Sequence, residues 1–501
     1  MAIVFKFKKS NQSINSCPTK FFSKMLFENV EYFKHQFGEK SDLIIRQLTI
    51  DDTNAAVISV SGMVDKDALT RCVIAPVTTF KIVGQNATEK FEYICSNIST
   101  SCDQIKVSNF KDAFNLIMSG FALLAVDGCD CMLALGVQGF SCRAVSEPST
   151  EVMQRGSREG FVEPIMVNIT LIRRRLKTPD LKFEFSTIGS TSQTSICLCY
   201  LKNKVSPTIL NKINTKLKTI NLETVLESGY IMPYLEEQND FSLFSGVGMT
   251  ERPDTVCGKI SEGRVAILID GTPNVLIVPY LFVEYFHHLD DYARHPYFAT
   301  FTRWLKYLAF FISTLLPGLY VGISTYNPEI LPAPIFTKIA LAVGTTPFSL
   351  MSETIIIHLI YEIMREAGLR IPRPLGHAVS IVGALVIGET AVSSGLIGGP
   401  TLMVVALTAI SSYVIPNLYE PISILKFVFV ITGGLLGIWG ITIVFTAVLV
   451  NLCSKNTYGI PFTSPISPFN LFAMRDVLLR CNWKLMAKKN IQIQNLPGSE
   501  I

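Results

Sequence analysis

The most informative residues in this sequence form a stripe of small and weakly polar side chains within a long apolar stretch. Ser380, Ala384, Ile387 and Ala391 follow one another at steps of four, three and four residues, which places them on one narrow face of a helix. In a membrane, such a face lets helices pack closely, or it lines a conduit whose apolar ring expels water when closed. The sequence leaves both uses open. The full stripe consists of Val379, Ser380, Gly383, Ala384, Ile387 and Ala391.

Glu389 is a carboxylate within the same apolar stretch. A charged group at the centre of a bilayer helix costs roughly 2.5–3.5 kcal/mol on insertion scales, so such groups usually face water or a partner. Glu389 lies five residues before the predicted end of its span at Ser394, which lowers that cost. If it faces the same axis as the stripe, it favours the passage of cations.

A second set of candidate residues is charged and lies in the first 303 residues. We expect these side chains to hold two soluble subdomains and a membrane domain in register. The alternative is that they form ordinary solvated charge runs. The candidates for this coupling role are Arg173, Arg174, Arg175, Glu251, Arg252 and Asp254.

Catalytic signatures are missing from the sequence. It contains no Walker A loop, no G-x-S-x-G elbow, no H-E-x-x-H motif and no dinucleotide-binding fingerprint after a strand. We therefore expect neither an enzyme nor a protein with a bound cofactor. The net charge of +4 is small and dispersed, so nucleic acid is not expected as a partner.

Histidines and cysteines suggest no metal site. His287, His288 and His295 cluster within the sequence HHLDDYARH, for which an interfacial turn of mixed polar residues is the favoured interpretation over a metal centre. The 12 cysteines include two C-x-C pairs, but this spacing is not that of a zinc ribbon. Buried, reduced thiols are the expected state, because cysteine packs as a small apolar residue.

The distribution of charge divides the chain into two halves. Residues 1–303 carry 64 charged side chains, as in an ordinary soluble protein, whereas residues 304–452 carry 12. Three stretches of 22, 30 and 24 residues in the second half carry none at all. Because about 20 apolar residues suffice to cross a bilayer, the second half is predicted to lie in a membrane.

Periodicity predicts several elements in the soluble half. The apolar runs Asn54–Val60 and Gly120–Val126 are typical of buried strands. Pro207–Lys218 has the spacing of an amphipathic helix, and Val265–Ile269 and Val275–Val278 flank an Asp-Gly turn that indicates a hairpin. No secretory signal starts the sequence, so we expect residues 28–303 to be cytoplasmic.

The fold class that follows is a bipartite α/β cytoplasmic domain and then an all-α polytopic membrane domain. The predicted boundaries are a polar tail at 1–27, subdomain 1 at 28–150, a linker helix at 151–178, subdomain 2 at 179–285, an interfacial transition at 286–303, the membrane domain at 304–452 and a tail at 453–501.

Membrane spans are predicted at about 307–324, 375–394, 401–416 and 423–452, the last being longer than a bilayer is thick. Residues 349–367 are helical but charged, and they either span or lie in the interface. This choice decides the side of the carboxy-terminal tail. With these spans alone, the arginines near 365–373 and the basic tail cannot both lie on the cytoplasmic side, as the positive-inside rule requires.

Several motifs carry a family resemblance. In chain order they are GFVE at 160–163 with NI at 168–169 and LIRRRL at 171–176, TERPD at 250–254, EGRVAILIDGTP at 262–273, REAG at 365–368 with PRP at 372–374, VGALVIG at 382–388 and ALTAI at 406–410. Over about residues 30–470, the chain resembles the A subunits of bacterial spore germinant receptors. Glu389 departs from the uncharged residue that this resemblance leads us to expect.

The resemblance implies a subunit of the spore inner membrane that works with a transporter-like B subunit and a lipoprotein C subunit. It further implies that A subunits oligomerise, plausibly as pentamers, into a nutrient-gated ion channel that releases cations to start germination. The alternative is a non-conducting scaffold or signalling subunit, which relays nutrient binding to a separate channel.

Overall fold

The computed structural model of the chain describes residues 20–38, 42–79, 82, 84, 86–98, 103–139, 148, 151, 153, 155–237, 242–370, 388–486 and 492–500. Two five-stranded sheets with their helices are followed by a bundle of apolar helices. The chain is thus divided into a charged α/β half and an apolar helical half, as the charge distribution predicts.

Subdomain 1 is built on an antiparallel sheet with strand order β1-β2-β4-β5-β3. Both predicted buried strands are confirmed, as β2 and β4. The strands are β1 Leu43–Ile50, β2 Thr53–Val60, β3 Gln104–Val107, β4 Phe121–Val126 and β5 Met132–Gly136, and the helices are α1 Leu26–Phe37, α2 Lys66–Leu69, α3 Ala75–Thr79, α4 Ala87–Tyr93 and α5 Phe110–Ile117.

Helices α1 and α5 cover one face of this sheet through an aromatic cluster. The rings of Phe33 and Phe114 lie 5.1 Å apart, and both side chains are buried. Phe22 also joins this cluster, with its ring 4.6 Å from that of Phe110. The end of the predicted polar tail is therefore part of the subdomain core, because an aromatic residue at position 22 finds an apolar surface to cover.

Subdomain 2 repeats the design with strand order β6-β7-β9-β10-β8, again antiparallel. The predicted amphipathic helix is confirmed as α7, and the predicted hairpin as β9 and β10. The strands are β6 Leu181–Ile188, β7 Thr194–Leu201, β8 Gly248–Thr250, β9 Val265–Ile269 and β10 Val275–Val278, and the helices are α7 Pro207–Lys218, α8 Met232–Leu235 and α9 Pro253–Ser261.

The linker helix is shorter than the predicted 151–178. It is α6, Ile165–Arg175, and Pro164 occupies its N-cap in an extended conformation. The side chain of Asn168 turns back to bind the backbone of Val162, accepting from its N–H at 2.9 Å and donating to its carbonyl at 2.5 Å. These contacts hold the residues before Pro164 in an extended path, so the helix cannot continue toward the amino terminus.

The carboxy-terminal tail is an integral part of subdomain 2. It contributes the strands β11 Asn456–Thr457 and β12 Ile460–Pro461. Tyr458 and Ile493 are buried among the side chains of the second sheet, and the backbone N–H of Ile493 donates to the carbonyl of Glu262 at 2.9 Å. Lys455 Nζ donates to the Phe244 carbonyl at 2.6 Å.

The remaining helices form a bundle. The stretches Pro296–Tyr326 and Pro416–Ser454 are long and apolar enough to cross a membrane, and α12 with α13 would make a third crossing if their 80° bend lies within one span. The predicted span 401–416 corresponds to the helix Gly399–Tyr413, which has 15 residues and is shorter than these two stretches. The elements are α10 Asp290–Ala293, α11 Pro296–Tyr326, α12 Ala333–Thr345, α13 Leu350–Arg370, α14 Gly388–Ser393, α15 Gly399–Tyr413 and α16 Tyr419–Ser454, followed by α17 Trp483–Met486.

Helix α16 is not one straight span, because it folds back at Gly437. The backbone there has φ 63° and ψ −146°, a conformation open to glycine but strained for other residues. A Cβ on Gly440 would lie 2.5 Å from the carbonyl of Thr432, although eight residues of straight helix rise about 12 Å. The predicted span 423–452 is therefore two antiparallel arms, 419–436 and 438–454.

Both arms of α16 pack beside α11. The hydroxyl of Tyr326, at the end of α11, donates to the carbonyls of Gly434 and Leu435 at 3.1 and 2.9 Å, next to the reversal. At the opposite end, Pro416 and Phe244 line the same cavity, and Lys455 binds the Phe244 carbonyl. The bundle thus has a soluble-domain end and a distal end, and α16 starts and finishes at the first.

The other helices run between the same two ends. Leu350 packs with Val321 and Val430 near the distal end, whereas Glu362 on the same helix accepts from the Tyr419 hydroxyl and the Lys426 ammonium. Helix α13 therefore leads back to the soluble-domain end. Gly388 lies against Leu402, near the distal start of α15, so the chain has returned to the distal end by residue 388.

This arrangement removes the conflict in the predicted topology. The conflict arose because 423–452 was treated as a single crossing. With two arms, the carboxy-terminal tail returns to the side on which the soluble subdomains lie. Arg365, with its guanidinium 3.2 Å from the centre of the Tyr419 ring, lies at that same end. The arginines near the end of α13, Arg365 and Arg370, and the basic tail can now share one side.

Buried polar contacts explain how α13 carries charge inside the bundle. Glu353, 1% exposed, accepts from the backbone N–H of Gly398 at 2.8 Å, and Glu362 is paired with Lys426. Each carboxyl group therefore has a hydrogen-bond donor in place of water, as a polar group within a bundle requires. Of the charged residues that left 349–367 undecided between span and interface, Glu353 and Glu362 contact other parts of the bundle, whereas Glu366 pairs with Arg370 of its own helix.

The reversal predicts opposite accessibility for two positions on α16. Leu436 is exposed beside the turn, and Cys453 is exposed near the end of the second arm. In sealed vesicles, an impermeant maleimide should reach Leu436→Cys and Cys453 from opposite sides, as read by mass spectrometry of labelled peptides. A straight helix predicts instead that position 436 lies in mid-membrane and reacts from neither side.

Candidate functional site

The predicted pore stripe is only partly within the described residues. Val379, Ser380, Gly383, Ala384 and Ile387 lie outside them, and their prediction stays as it stands. Helix α14 contains the other two candidates. Its sequence is GETAVS, so each of its residues except Val392 is small, polar or both.

Within α14, the structure does not bring Ala391 and Glu389 together. Ala391 is half-buried against a cluster formed by Ile357, Ile397 and Val405. Glu389 is exposed on the other side of the helix. The exposed face also carries Thr390 and Ser393, so this end of the helix offers polar groups away from its own bundle. A step of two residues turns a helix by about 200°, which explains the separation.

Of the coupling candidates, Arg173 makes the most buried contact. Its guanidinium holds the carboxylate of Asp42 with two N–H···O bonds from Nη2, at 2.7 and 2.9 Å, and both side chains are at most 1% exposed. Its Nη1 donates to the Leu181 carbonyl at 3.2 Å, and the group lies over the Phe183 ring. Asp42 belongs to subdomain 1 and Leu181 to subdomain 2, so Arg173 joins the two.

A second contact supports the same joint. The hydroxyl of Thr170, one helical turn before Arg173, donates to the carbonyl of Gly62 in subdomain 1 at 3.2 Å. Arg174, in contrast, is more than one-third exposed and lies 3.6 Å from Glu159. The three consecutive arginines are therefore not equivalent, because only Arg173 faces the joint between the subdomains.

Arg175 and Arg252 both bind the extended segment that precedes α6, at residues 157–159. Arg175 Nη2 donates to the hydroxyl of Ser157 at 3.1 Å and to the carboxylate of Glu159 at 2.5 Å. Arg252 Nη2 donates to the carbonyl of Ser157 at 2.7 Å and to Asp254 at 2.7 Å. The segment that leads into α6 is thus tied to α6 itself and to the start of α9.

Glu251 and its neighbours extend this contact toward the membrane. The Glu251 carbonyl accepts from the Phe161 N–H at 2.7 Å, and the backbone N–H of Glu251 donates to the Glu151 carboxyl at 3.2 Å. Burial raises the pKa of the Glu151 carboxyl, which also accepts from the Thr250 hydroxyl at 2.5 Å. This group of residues lies at the boundary between subdomain 2 and the helical bundle.

Two adjoining cavities mark that boundary. Their volumes are about 450 and 510 Å³, and both are lined by Glu151 and Thr250 on the soluble side. Their other wall is the turn between α15 and α16, at Pro416 and Asn417. Motion of the Glu151 region would therefore be felt first by this turn, which connects two helices of the bundle.

The periodicity of the sequence did not predict the buried charges near the amino-terminal end of α11, which we call its base. Arg303, 0% exposed, contacts Asp291 at 3.2 Å and Asp476 at 3.0 Å, and Lys306 contacts Asp291 at 3.0 Å. These residues come from α10, from α11 and from the carboxy-terminal tail. The sequence shows only an arginine and a lysine at the start of an apolar span, which are equally typical of the hydrated ends of membrane helices, so it gave no specific signal for this group.

A second buried charge group lies inside subdomain 2. Glu284 is bound by both Arg264 and Lys259. Burial acts to raise the pKa of Glu284, but the two cations prevail and hold it below its ordinary value. Arg264 belongs to the EGRVAILIDGTP motif, and this contact gives that arginine a structural role in closing the second sheet against residues 279–286.

The histidine motif HHLDDYARH contributes to the base of α11 in a different way. Burial lowers the pKa of His288 to about 4 and takes that of His287 well below its ordinary value, so both rings are neutral at physiological pH. Among the described residues, no group of three or more histidine, cysteine, aspartate or glutamate side chains is placed to hold a metal ion. Within this motif, Asp291 is the acidic residue that binds the two cations of α11, Arg303 and Lys306.

Known proteins share this sequence over nearly its full length. The family model described as Bacillus/Clostridium GerA spore germination protein matches residues 31–492. Spore germination protein KA of Bacillus subtilis is 37% identical over 92% of this chain and 85% of its own length. Spore germination protein GerLA of Bacillus cereus is 32% identical over 88% of this chain and 90% of its own.

One solved structure is similar to part of the chain. The N-terminal domain of the A subunit of the Bacillus megaterium spore germinant receptor GerK3 is 31% identical, covers 53% of this chain and 98% of that one, and has a TM-score of 0.42. The family match extends from subdomain 1 through the bundle into the carboxy-terminal tail. The chain therefore belongs to the GerA family of spore germination proteins.

Proposed function

We propose that this chain is the A subunit of a nutrient germinant receptor and that copies of it assemble into a nutrient-gated ion channel. The observation that carries the proposal is the attachment of the bundle to the soluble subdomains. Arg303 of α11 is bound to Asp476 of the carboxy-terminal tail, which is built into subdomain 2, and the turn at Pro416 lines a cavity together with residues of subdomain 2. A change in the soluble part is thereby passed to helices on both sides of the bundle.

The proposed location is the spore inner membrane, with the soluble subdomains in the cytoplasm. Basic residues support this orientation, because cytoplasmic ends of spans are enriched in lysine and arginine. The soluble-domain end carries Arg365, Arg370 and the basic tail, whereas the distal connection 327–349 contains one lysine, Lys338. In spores, Leu436→Cys is then the position that reacts from outside.

The proposed partners are a transporter-like B subunit, a lipoprotein C subunit and further copies of this chain, plausibly in a pentamer. Support comes from the relatives, since one of them is named as the A subunit of a spore germinant receptor. In this proposal, the nutrient binds chiefly to the B subunit. The cavities beside Glu151 and Pro416 then lie on the route by which the soluble subdomains act on the bundle.

The proposed conduit is lined by the predicted span 375–394, of which α14 is part of the described end. Its apolar members Val379 and Ile387 would form the closed gate, because a narrow apolar ring excludes hydrated ions. The exposed carboxylate of Glu389, with the hydroxyls of Thr390 and Ser393 beside it, would form a polar mouth that favours cations. Ala391 lies on the same predicted face as Ile387 but packs inside its own bundle, so the proposal limits the lining stripe to Val379, Ser380, Gly383, Ala384 and Ile387.

The conduit predicts spontaneous ion release when the gate is widened. Val379→Ala and Ile387→Ala each remove methyl groups from the proposed ring and should raise the ion leak per assembled complex without nutrient. Glu389→Gln should lower the cation conductance, while Glu329→Gln, a distal carboxylate outside α14, serves as the matched control. The measurements are conductance of the reconstituted complex and ion release from spores.

Two results would refute this assignment. Unchanged leak for both gate variants at normal abundance would remove the pore role of this helix. Absence of any conductance from the purified oligomer would favour the alternative function, a non-conducting scaffold or signalling subunit. A role in packing alone predicts that the variants lower the amount of subunit and leave the leak per complex unchanged.

Arg173→Ala should destabilise the protein far more than Arg174→Ala. Removing one partner of a buried ion pair leaves the other charge uncompensated, at a cost of about 3–5 kcal/mol. Loss of an exposed pair changes stability by about 1 kcal/mol or less. The check is the unfolding midpoint of the detergent-purified chain, and similar midpoints for the two variants would show that Arg173 does not hold the subdomains together.

Arg252→Ala should weaken the response to nutrient in complexes that still assemble. The change releases the Ser157 carbonyl and the Asp254 carboxylate, so the segment before α6 loses its contact with α9. Arg252→Lys keeps the charge but not the two-pronged geometry and should rescue only in part. Germination rate per assembled receptor is the measurement, with Arg174→Ala as control, and a normal rate for Arg252→Ala would exclude the coupling role.

A further inference from the structure

One exposed apolar surface lies where the carboxy-terminal tail meets the base of α11. On the helix, Phe301 and Trp304 are 55% and 56% exposed, and on the tail Leu478 and Leu479 are 40% and 53% exposed. Large apolar side chains that are this exposed and this close together usually mark an interaction site. We call this surface the apolar collar, and it comprises Phe301, Trp304, Leu305, Leu308, Leu478 and Leu479.

Hydrogen bonds hold the tail against the helix at this place. Trp304 Nε1 donates to the carbonyl of Leu478 at 3.0 Å. The backbone N–H of Arg480 donates to the hydroxyl of Thr300 at 3.0 Å, and Arg303 Nη1 donates to the Asp476 carbonyl at 2.6 Å. The two leucines are therefore fixed beside the exposed face of α11, with their side chains on the outer surface of the protein.

The length of α11 places this surface at the edge of the bilayer. A helix of 31 residues is about 46 Å long, whereas the hydrocarbon core is about 30 Å thick. Counting about 20 residues back from the distal end at Tyr326 reaches Tyr307. The turns from Phe301 to Leu305 then lie in the headgroup region, and Leu478 and Leu479 lie at the same level.

The surrounding side chains suit this position. The Arg480 guanidinium is stacked 4.7 Å from both the Trp483 and Tyr292 rings, and Lys484 is exposed just beyond. Tryptophan, tyrosine and basic residues concentrate at membrane–water interfaces, where apolar parts enter the lipid and polar parts stay hydrated. The charges at Asp291 and Arg303 point the other way, into the protein.

We propose that the tail segment 476–484 is a second membrane contact, which lies in the lipid headgroup layer beside the entry point of α11. The occupant of the apolar collar is the bilayer surface. Continuity with the exposed face of a membrane-crossing helix favours lipid over a protein partner. The tail would thus link subdomain 2 to the bilayer independently of the turns between the bundle helices.

The test uses tryptophan as a reporter in the full chain, reconstituted in bilayers. The protein has three tryptophans, Trp304, Trp439 and Trp483, so replacing all three with phenylalanine and adding Leu479→Trp gives a single reporter. Lipids brominated near the headgroup should quench it more than lipids brominated deep in the chains. Aqueous iodide should quench it little.

Two controls bound the result. Trp439 is 80% exposed on α16 and, kept as the only tryptophan, should be quenched by brominated lipid. Phe27→Trp, 74% exposed on subdomain 1 and added to the tryptophan-free chain, should be quenched by iodide alone. If Leu479→Trp behaves like Phe27→Trp, the tail is in water and the proposal fails. Protection from both quenchers shows a protein cover and equally overturns it.

A measurement on the unaltered chain guards against misfolding of the multiple variant. Lipids carrying a photoreactive group near the headgroup are incorporated into the same bilayers, and cross-linked peptides are identified by mass spectrometry. Labelling of peptides that contain Leu478 and Leu479 is expected, together with those from the base of α11. Labelling of α11 without the tail would refute the proposal.

Discussion

The attachment of the bundle depends on Asp291, a carboxylate only 3% exposed between two cations of α11. Arg303 extends the contact to Asp476, so the start of α11 and the distant carboxy-terminal tail meet at one buried charge group. A charge in such a place is stable only while its partners stay, and losing one costs far more than an exposed pair is worth. The soluble subdomains and the first membrane helix therefore behave as one body at this point.

Local patterns predicted the elements of the soluble subdomains well. A continuous apolar run predicted the strands β2 and β4, and helical spacing predicted α7. These elements were predictable because residues close together in the sequence decide their secondary structure. The boundary of α6 was less predictable. Asn168 binds back to Val162 and Pro164 takes the N-cap, and these contacts outweigh a pattern that otherwise continued into residues 151–163.

Contacts between distant residues were not predictable in the same way. Arg173 and Asp42 are 131 positions apart, and the sequence around each gives no indication that the two are in contact. The reversal of α16 depends on a single residue, Gly437, within an apolar run that contains other glycines, so hydropathy alone reads it as one long span. For the candidate conduit, spacing predicted a stripe, but only the fold shows that Ala391 faces its own bundle and Glu389 faces away.

The place of the tail in subdomain 2 has a consequence for biosynthesis. The second sheet buries Ile493 and Leu496, which a ribosome adds only after every helix of the bundle. Subdomain 1 contains all of its own strands and can fold while synthesis continues. Subdomain 2 must wait with an open apolar face until the membrane helices are inserted and both arms of α16 have brought the tail back. Its completion thus reports that insertion has succeeded, since a tail left on the wrong side of the membrane cannot close the core.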